Sequence, residues 1–149
     1  MHWMKLLLLL AFVAAGSTHA ESAKIVKVLP YLLDAQGRHT LKPSLYDRDY
    51  YQSQLRRNPE LRGGLRFDVK WRSNGHASVK LRIEARGNLA SQPTQTTLEQ
   101  PVKKGGLFGN WSSLTLDKEA CKKFGDLTAW RATLWSGDKQ IAEQKSFLW

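Results

Sequence analysis

Hydrophobic and charged residues alternate over two stretches in the middle of the chain. Leu65, Phe67, Val69 and Trp71 are interleaved with Arg66, Asp68, Lys70 and Arg72. Val79, Leu81, Ile83 and Ala85 are interleaved with Lys80, Arg82, Glu84 and Arg86. A strand turns successive side chains to opposite faces, so a period of two predicts half-buried strands. Ser73-Asn74-Gly75 separates them as a turn, and Gly87-Asn88 ends the second.

Weaker patterns extend the series. Lys24 to Leu33 predicts an earlier strand, closed by Asp34-Ala35-Gln36-Gly37. Pro30 offers no ladder donor and places that strand at a sheet edge or interrupts it. Thr94 to Val102 predicts another strand, with Pro101 again pointing to an edge. Trp111 to Leu116 follows, with Leu114 and Leu116 on one face. Leu127–Trp135 and Gln140–Trp149 predict a hairpin across Ser136-Gly137-Asp138-Lys139.

Two segments break this rhythm. Residues 45–57 predict a short helix, with Ser44 as N-cap, Asp47 and Asp49 near its start, and Arg56 and Arg57 in its last turn. Its apolar stripe is narrow, Leu45 or Tyr51 with Leu55, so the helix is expected on the outside of something larger. Residues 118–124, within DKEACKKFG, predict a helical turn closed by Gly125. The total is about seven strands, six of them after residue 60, with turns every eight to twelve residues. That spacing predicts a mainly β, antiparallel sandwich rather than a βαβ fold.

The segments LRFDVKW, VKLRIEA, WSSLTL and LTAWRATLWSGDKQIAEQKSFLW give residues 61–149 the length and strand rhythm of one particular class. This region resembles an immunoglobulin-like or fibronectin type III-like β-sandwich. DKEACKKFG then stands at the turn linking the fifth and sixth strands. The paired inter-sheet cysteines of antibody domains are absent, and no Tyr follows Tyr51 to form a tyrosine corner. Residues 21–60 are expected as a strand and helix packed on the sandwich. The resemblance implies a module that binds through its loops, edges or faces, and by itself names no function.

The start of the chain carries an address. Lys5, the apolar run Leu6–Ala15 and Thr18-His19-Ala20 have the three-part layout of a secretory signal peptide. Cleavage is expected near Ala20–Glu21. The run is too short to span a bilayer, and no later one is longer, so no transmembrane span is expected in the mature chain. Glu21 stands where a lipoprotein would carry Cys. The whole looks like an exported bacterial protein, periplasmic or secreted.

Charge narrows the partners. The chain has 23 Lys and Arg against 13 Asp and Glu, a formal +10, and the leader removes only Lys5. Such an excess favours anionic surfaces and polymers. Arg66, Lys70, Arg72, Lys80, Arg82 and Arg86 are the leading candidate for an anion-facing surface. They form one basic face if their strands are neighbours and two separate faces if the strands lie in opposite sheets. A solvated face with Asp68 and Glu84 paired across strands explains the same pattern. Lys103, Lys104, Leu107 and Phe108 mark a candidate contact loop, an apolar pair on a basic stem. Leu107 and Phe108 folding back onto the core is the plainer reading.

Other chemistry finds little support. His39 and His76 are the histidines after the leader, with no metal-ligand spacing, and no GxSxG or HExxH occurs. No cofactor and no enzymatic activity are expected. Cys121 is the only cysteine and is expected to be buried rather than reactive. Five tryptophans follow the leader, and core packing is expected for most. Nucleic acid is not an expected partner, since Phe67 and Trp71 belong to the buried side of their strand. The sequence thus predicts an exported, non-enzymatic module binding a protein or an anionic polymer or lipid surface of the envelope. Alternatives are an accessory subunit of an envelope assembly and a hydrolase with an unrecognised site.

Overall fold

A computed structural model describes residues 22–76, 78–104 and 109–149. The leader, the Ala20–Glu21 cleavage site, and Leu107 and Phe108 of the contact loop lie outside the described residues. The elements run β1 (Ser22–Asp34), α1 (Leu45–Arg57), a 3-10 turn (Pro59–Leu61), β2 (Arg62–Asn74), β3 (Val79–Leu89), β4 (Gln92–Val102), β5 (Asn110–Leu116), α2 (Lys118–Phe124), β6 (Asp126–Ser136) and β7 (Lys139–Lys145).

The seven strands form two antiparallel sheets, one of three strands in the order β1-β2-β5 and one of four in the order β4-β3-β6-β7. The expected mainly β sandwich with two short helices is the fold observed. Because β1 pairs with β2 along its length, the sandwich takes in residues ahead of Leu61. Pro30 lies in β1 and Pro101 in β4, both edge strands, where a missing N–H costs no ladder bond to an outer neighbour.

The core is the inward half of each alternating segment. Phe67, Val69 and Trp71 of β2 and Leu81, Ile83 and Ala85 of β3 are fully buried, facing Ala132 and Leu134 of β6 and Leu114 and Leu116 of β5. The Trp71 indole Nε1 donates to Ser112 Oγ at 2.9 Å, satisfying its one polar atom. Cys121 and Phe124 bring α2 into the same core.

Helix α1 follows its predicted bounds, and Ser44 Oγ accepts from Asp47 N at 3.0 Å as its N-cap. Its buried face differs from the apolar reading. Leu45 is 68% exposed, while Gln52 and Leu55 are buried. The cause is the free edge of β1, whose backbone groups need polar partners. The Gln52 amide supplies both: Oε1 accepts from Leu32 N at 2.9 Å, and Nε2 donates to Leu32 O at 2.9 Å and His39 O at 2.8 Å. Beside it, Tyr51 Oη donates to Asp34 at 2.6 Å.

Two strand ends depart from the sequence reading. β3 continues past Gly87-Asn88 to Leu89, which pairs with Gln92 around a two-residue turn. Ala90 and Ser91 both take positive φ there, 49° and 64°, and Asn88 Oδ1 steadies the turn by accepting from Ser91 N at 3.0 Å. β7 stops at Lys145 rather than reaching Trp149, because Ser146 Oγ accepts from Trp130 N at 3.0 Å and draws the chain into a turn.

Candidate functional site

The sheet topology divides the six candidate cations. Arg66, Lys70 and Arg72 lie on β2 in the three-stranded sheet; Lys80, Arg82 and Arg86 lie on β3 in the four-stranded sheet. They make two outer faces of unlike character.

On the four-stranded face, Lys80, Arg82 and Arg131 lie against carboxylates. Glu99 of β4 takes Lys80 Nζ at 3.2 Å and accepts a short hydrogen bond from Arg82 Nε. Arg82 lowers the Glu99 pKa first, Lys80 second. Glu84 takes the Arg131 guanidinium at 2.7 Å, with Glu143 at 3.8 Å on its other side. Tryptophan rings cover the cations: Arg82 sits 4.5 Å from the Trp135 ring centroid, Arg86 3.8 Å and Arg131 5.1 Å from that of Trp149. Counter-charges and rings already occupy these cations, leaving few donors for an incoming anion.

The three-stranded face begins in the same way and then changes. Arg66 grips Asp68 with two nitrogens at 2.9 and 3.0 Å, and Ser113 Oγ donates to the same carboxylate at 2.6 Å. Arg66 Nη2 lies 3.2 Å from His39 Nδ1, which must therefore accept. Burial, then the Arg66 charge, lowers the His39 pKa, which favours the neutral ring, and the ring rests 4.6 Å from that of Tyr31.

Beyond Asp68 the compensation ends. Lys70 and Arg72 have no carboxylate within ion-pair distance among the described residues. Directly across the ladder from them stand Lys27 and Lys24 of β1. On the other side of Lys70 is Trp111 of β5, 55% exposed, with Lys70 Nζ 6.0 Å from its ring centroid. Four cations and one open indole thus share one solvent-facing patch. Gly109, just ahead of β5, lies beside Lys70 and Arg72, while Lys103 and Lys104 are exposed just past β4.

Sequence reasoning missed Lys24 and Lys27 for a geometric reason. They are three apart, and in a regular strand they would face opposite sides. A bulge intervenes: Ile25 pairs with Trp71 and Lys27 with Lys70, which leaves Val26 as the extra residue. The tryptophans also sort differently from expectation. Trp71 and Trp130 belong to the core, whereas Trp111, Trp135 and Trp149 lie on outer faces with cations beside them.

Cys121 is buried, and burial raises its pKa more than nearby Arg62 lowers it. Desolvation dominates at this thiol, as its expected burial implies. No group of His, Cys, Asp and Glu among the described residues is arranged to hold a metal, and none of the described helices is long and apolar enough to cross a membrane. No protein-family model, curated protein or solved structure matches this chain.

Proposed function

We infer that this protein is an exported, non-enzymatic binding module that engages an anionic component of the cell envelope through the outer face of its three-stranded sheet. The observation that carries the reading is the pair of like-charged cross-strand contacts, Lys24 opposite Arg72 and Lys27 opposite Lys70. Like charges directly opposite each other on a sheet destabilise it. Lys80, Arg82 and Arg131 on the other sheet have carboxylates beside them, whereas these four stand together with none, and an anionic partner relieves the repulsion. Trp111 adds an amphipathic ring of the kind that contacts sugar faces or lipid headgroups.

The immunoglobulin-like resemblance is part of this proposal. Its support is the chain path: β1, β2 and β5 share one sheet and β3, β6 and β7 the other, as the corresponding strands do in constant-type immunoglobulin domains, while β4 joins the β3 side instead. Export rests on the leader-like residues 1–20.

The test compares two double variants that lower net charge equally, K70Q/R72Q and K80Q/R82Q, against vesicles rich in phosphatidylglycerol and against alginate. Neutralising Lys70 and Arg72 is expected to weaken binding about tenfold or more, at roughly 1 kcal/mol per cation near an anionic surface. Neutralising Lys80 and Arg82 is expected to change it less than twofold. Equal losses would mean that net charge alone drives adsorption, and the face assignment would fail.

A further inference from the structure

At the end of the sandwich away from the basic patch lies a cavity of about 750 Å³, within the usual range for a small-molecule site. The 3-10 turn, the β3–β4 turn and α2 enclose it. Pro59, Leu89, Ala90 and Cys121 supply apolar wall. Lys118 and Lys122, four apart and so on one side of α2, are exposed at its rim. Neither makes an ion pair among the described residues. Glu60 also lines the cavity, so the unpaired charge there is two cations against one carboxylate.

Arg62 supplies the inner polar group. Its side chain is 5% exposed, and its guanidinium is held from three directions: Nε donates to Leu55 O at 2.8 Å, and Nη2 donates to Arg56 O at 2.7 Å and meets Asp126 at 2.8 Å. Arg62 also lines the cavity. A second cavity of about 400 Å³ shares Arg62 and Asp126 and is lined by Pro30, Leu32, Leu65 and Leu127. The Arg62–Asp126 pair therefore stands between two apolar compartments. The left-handed Ala90 and Ser91 line the cavity on the hairpin side, holding a conformation that costs non-glycine residues stability.

We propose that the larger cavity binds a small amphiphile with an anionic head, its chain against Pro59, Leu89 and Cys121 and its carboxylate or phosphate among Lys118, Lys122 and Arg62. This site is separate from the face assigned above and does not depend on it.

Titration calorimetry below micelle-forming concentrations tests the proposal with three probes of equal chain length: dodecanoate, dodecyl phosphate and dodecyltrimethylammonium. One equivalent of an anionic probe is expected to bind, at least tenfold more tightly than the cationic one, and the tighter of the two anions identifies the head group. L89W is expected to weaken that binding tenfold or more by filling the cavity. K118Q/K122Q, at exposed positions that leave the fold intact, is expected to reduce the anionic preference several-fold. K70Q/R72Q is expected to leave this binding unchanged, which keeps the two sites distinguishable. Absence of saturable binding, equal affinity for the cationic probe, or full affinity in K118Q/K122Q would each overturn the proposal.

Discussion

Lys27 of β1 stands directly across the ladder from Lys70 of β2, both on the solvent side of the three-stranded sheet. Two ammonium groups in register repel, so this contact is a cost in the unliganded fold. Replacing one of them should therefore stabilise the protein while weakening anion binding. K27E is expected to raise the unfolding free energy by roughly 0.5–1 kcal/mol in urea titration and to lower vesicle binding in the same preparation. A variant that lost both stability and binding would place Lys27 in a structural role.

The Val26 bulge makes a second prediction. Because Ile25 and Lys27 already hold their partners on β2, removal of Val26 closes the strand without changing either face. The deletion is expected to fold, with Tm within a few degrees of the parent and the basic patch intact. Deletion of Val28, a core residue whose loss flips the strand's register, is expected to abolish cooperative unfolding.

Asp34 gives the pH dependence. Burial raises its pKa, but the Tyr51 hydroxyl, the Arg38 backbone and side chain and the Gln36 N–H more than offset this and lower it to about 2 from 3.8. A carboxylate with a depressed folded pKa contributes stability that is full above its unfolded value and is lost as pH falls through the folded one. Stability should decline between about pH 4 and pH 2 on this account. D34N is expected to flatten that part of the acid-denaturation curve and to cost about 1–2 kcal/mol at neutral pH.

Backbone approach at Gly125 is equally testable. It closes α2 at φ +80°, and a Cβ there would sit 2.2 Å from Asn88 O. G125A is expected to lose about 2–3 kcal/mol by thermal or chemical unfolding, since both the conformation and the space exclude a side chain. At the β3–β4 turn the argument runs the other way. The paired left-handed residues Ala90 and Ser91 suit Asn-Gly, so A90N/S91G is expected to gain about 1 kcal/mol.

Cys121 should remain silent to thiol reagents in the native protein. Its burial raises the pKa and closes access. Reaction with DTNB at pH 8 is expected only on the unfolding timescale, and a fast native-state reaction would mean that the cavity beside it opens widely.

Local chemistry made much of the fold legible. The alternation in β2 and β3, the N-cap at Ser44, the prolines of β1 and β4 and the glycine closing α2 each depend on neighbours a few residues away, and each stands where its local signal put it. The buried face of α1 was less legible, because Gln52 faces inward to serve the β1 edge twenty residues earlier, a need that no apolar pattern encodes. The site was legible only in part. Lys70 and Arg72 were among the candidates; Lys24 and Lys27 were not, since a single inserted residue reverses which way a strand side chain faces.

Side-chain period and turn chemistry are written into the residues, and they settle that the chain makes about seven amphipathic strands, where most of them begin and end, and which side of β2 and β3 is apolar. The residues also set the excess of positive charge. Where that charge meets a counter-charge emerged with the packing of the two sheets. Sheet membership separated β2 from β3 and gave Lys80 and Arg82 a carboxylate in Glu99; the β1 register set Lys24 and Lys27 against Arg72 and Lys70 with none. Pairing between distant strands is a property of the packed whole, and the electrostatic meaning of each cation depends on which strand arrives beside it.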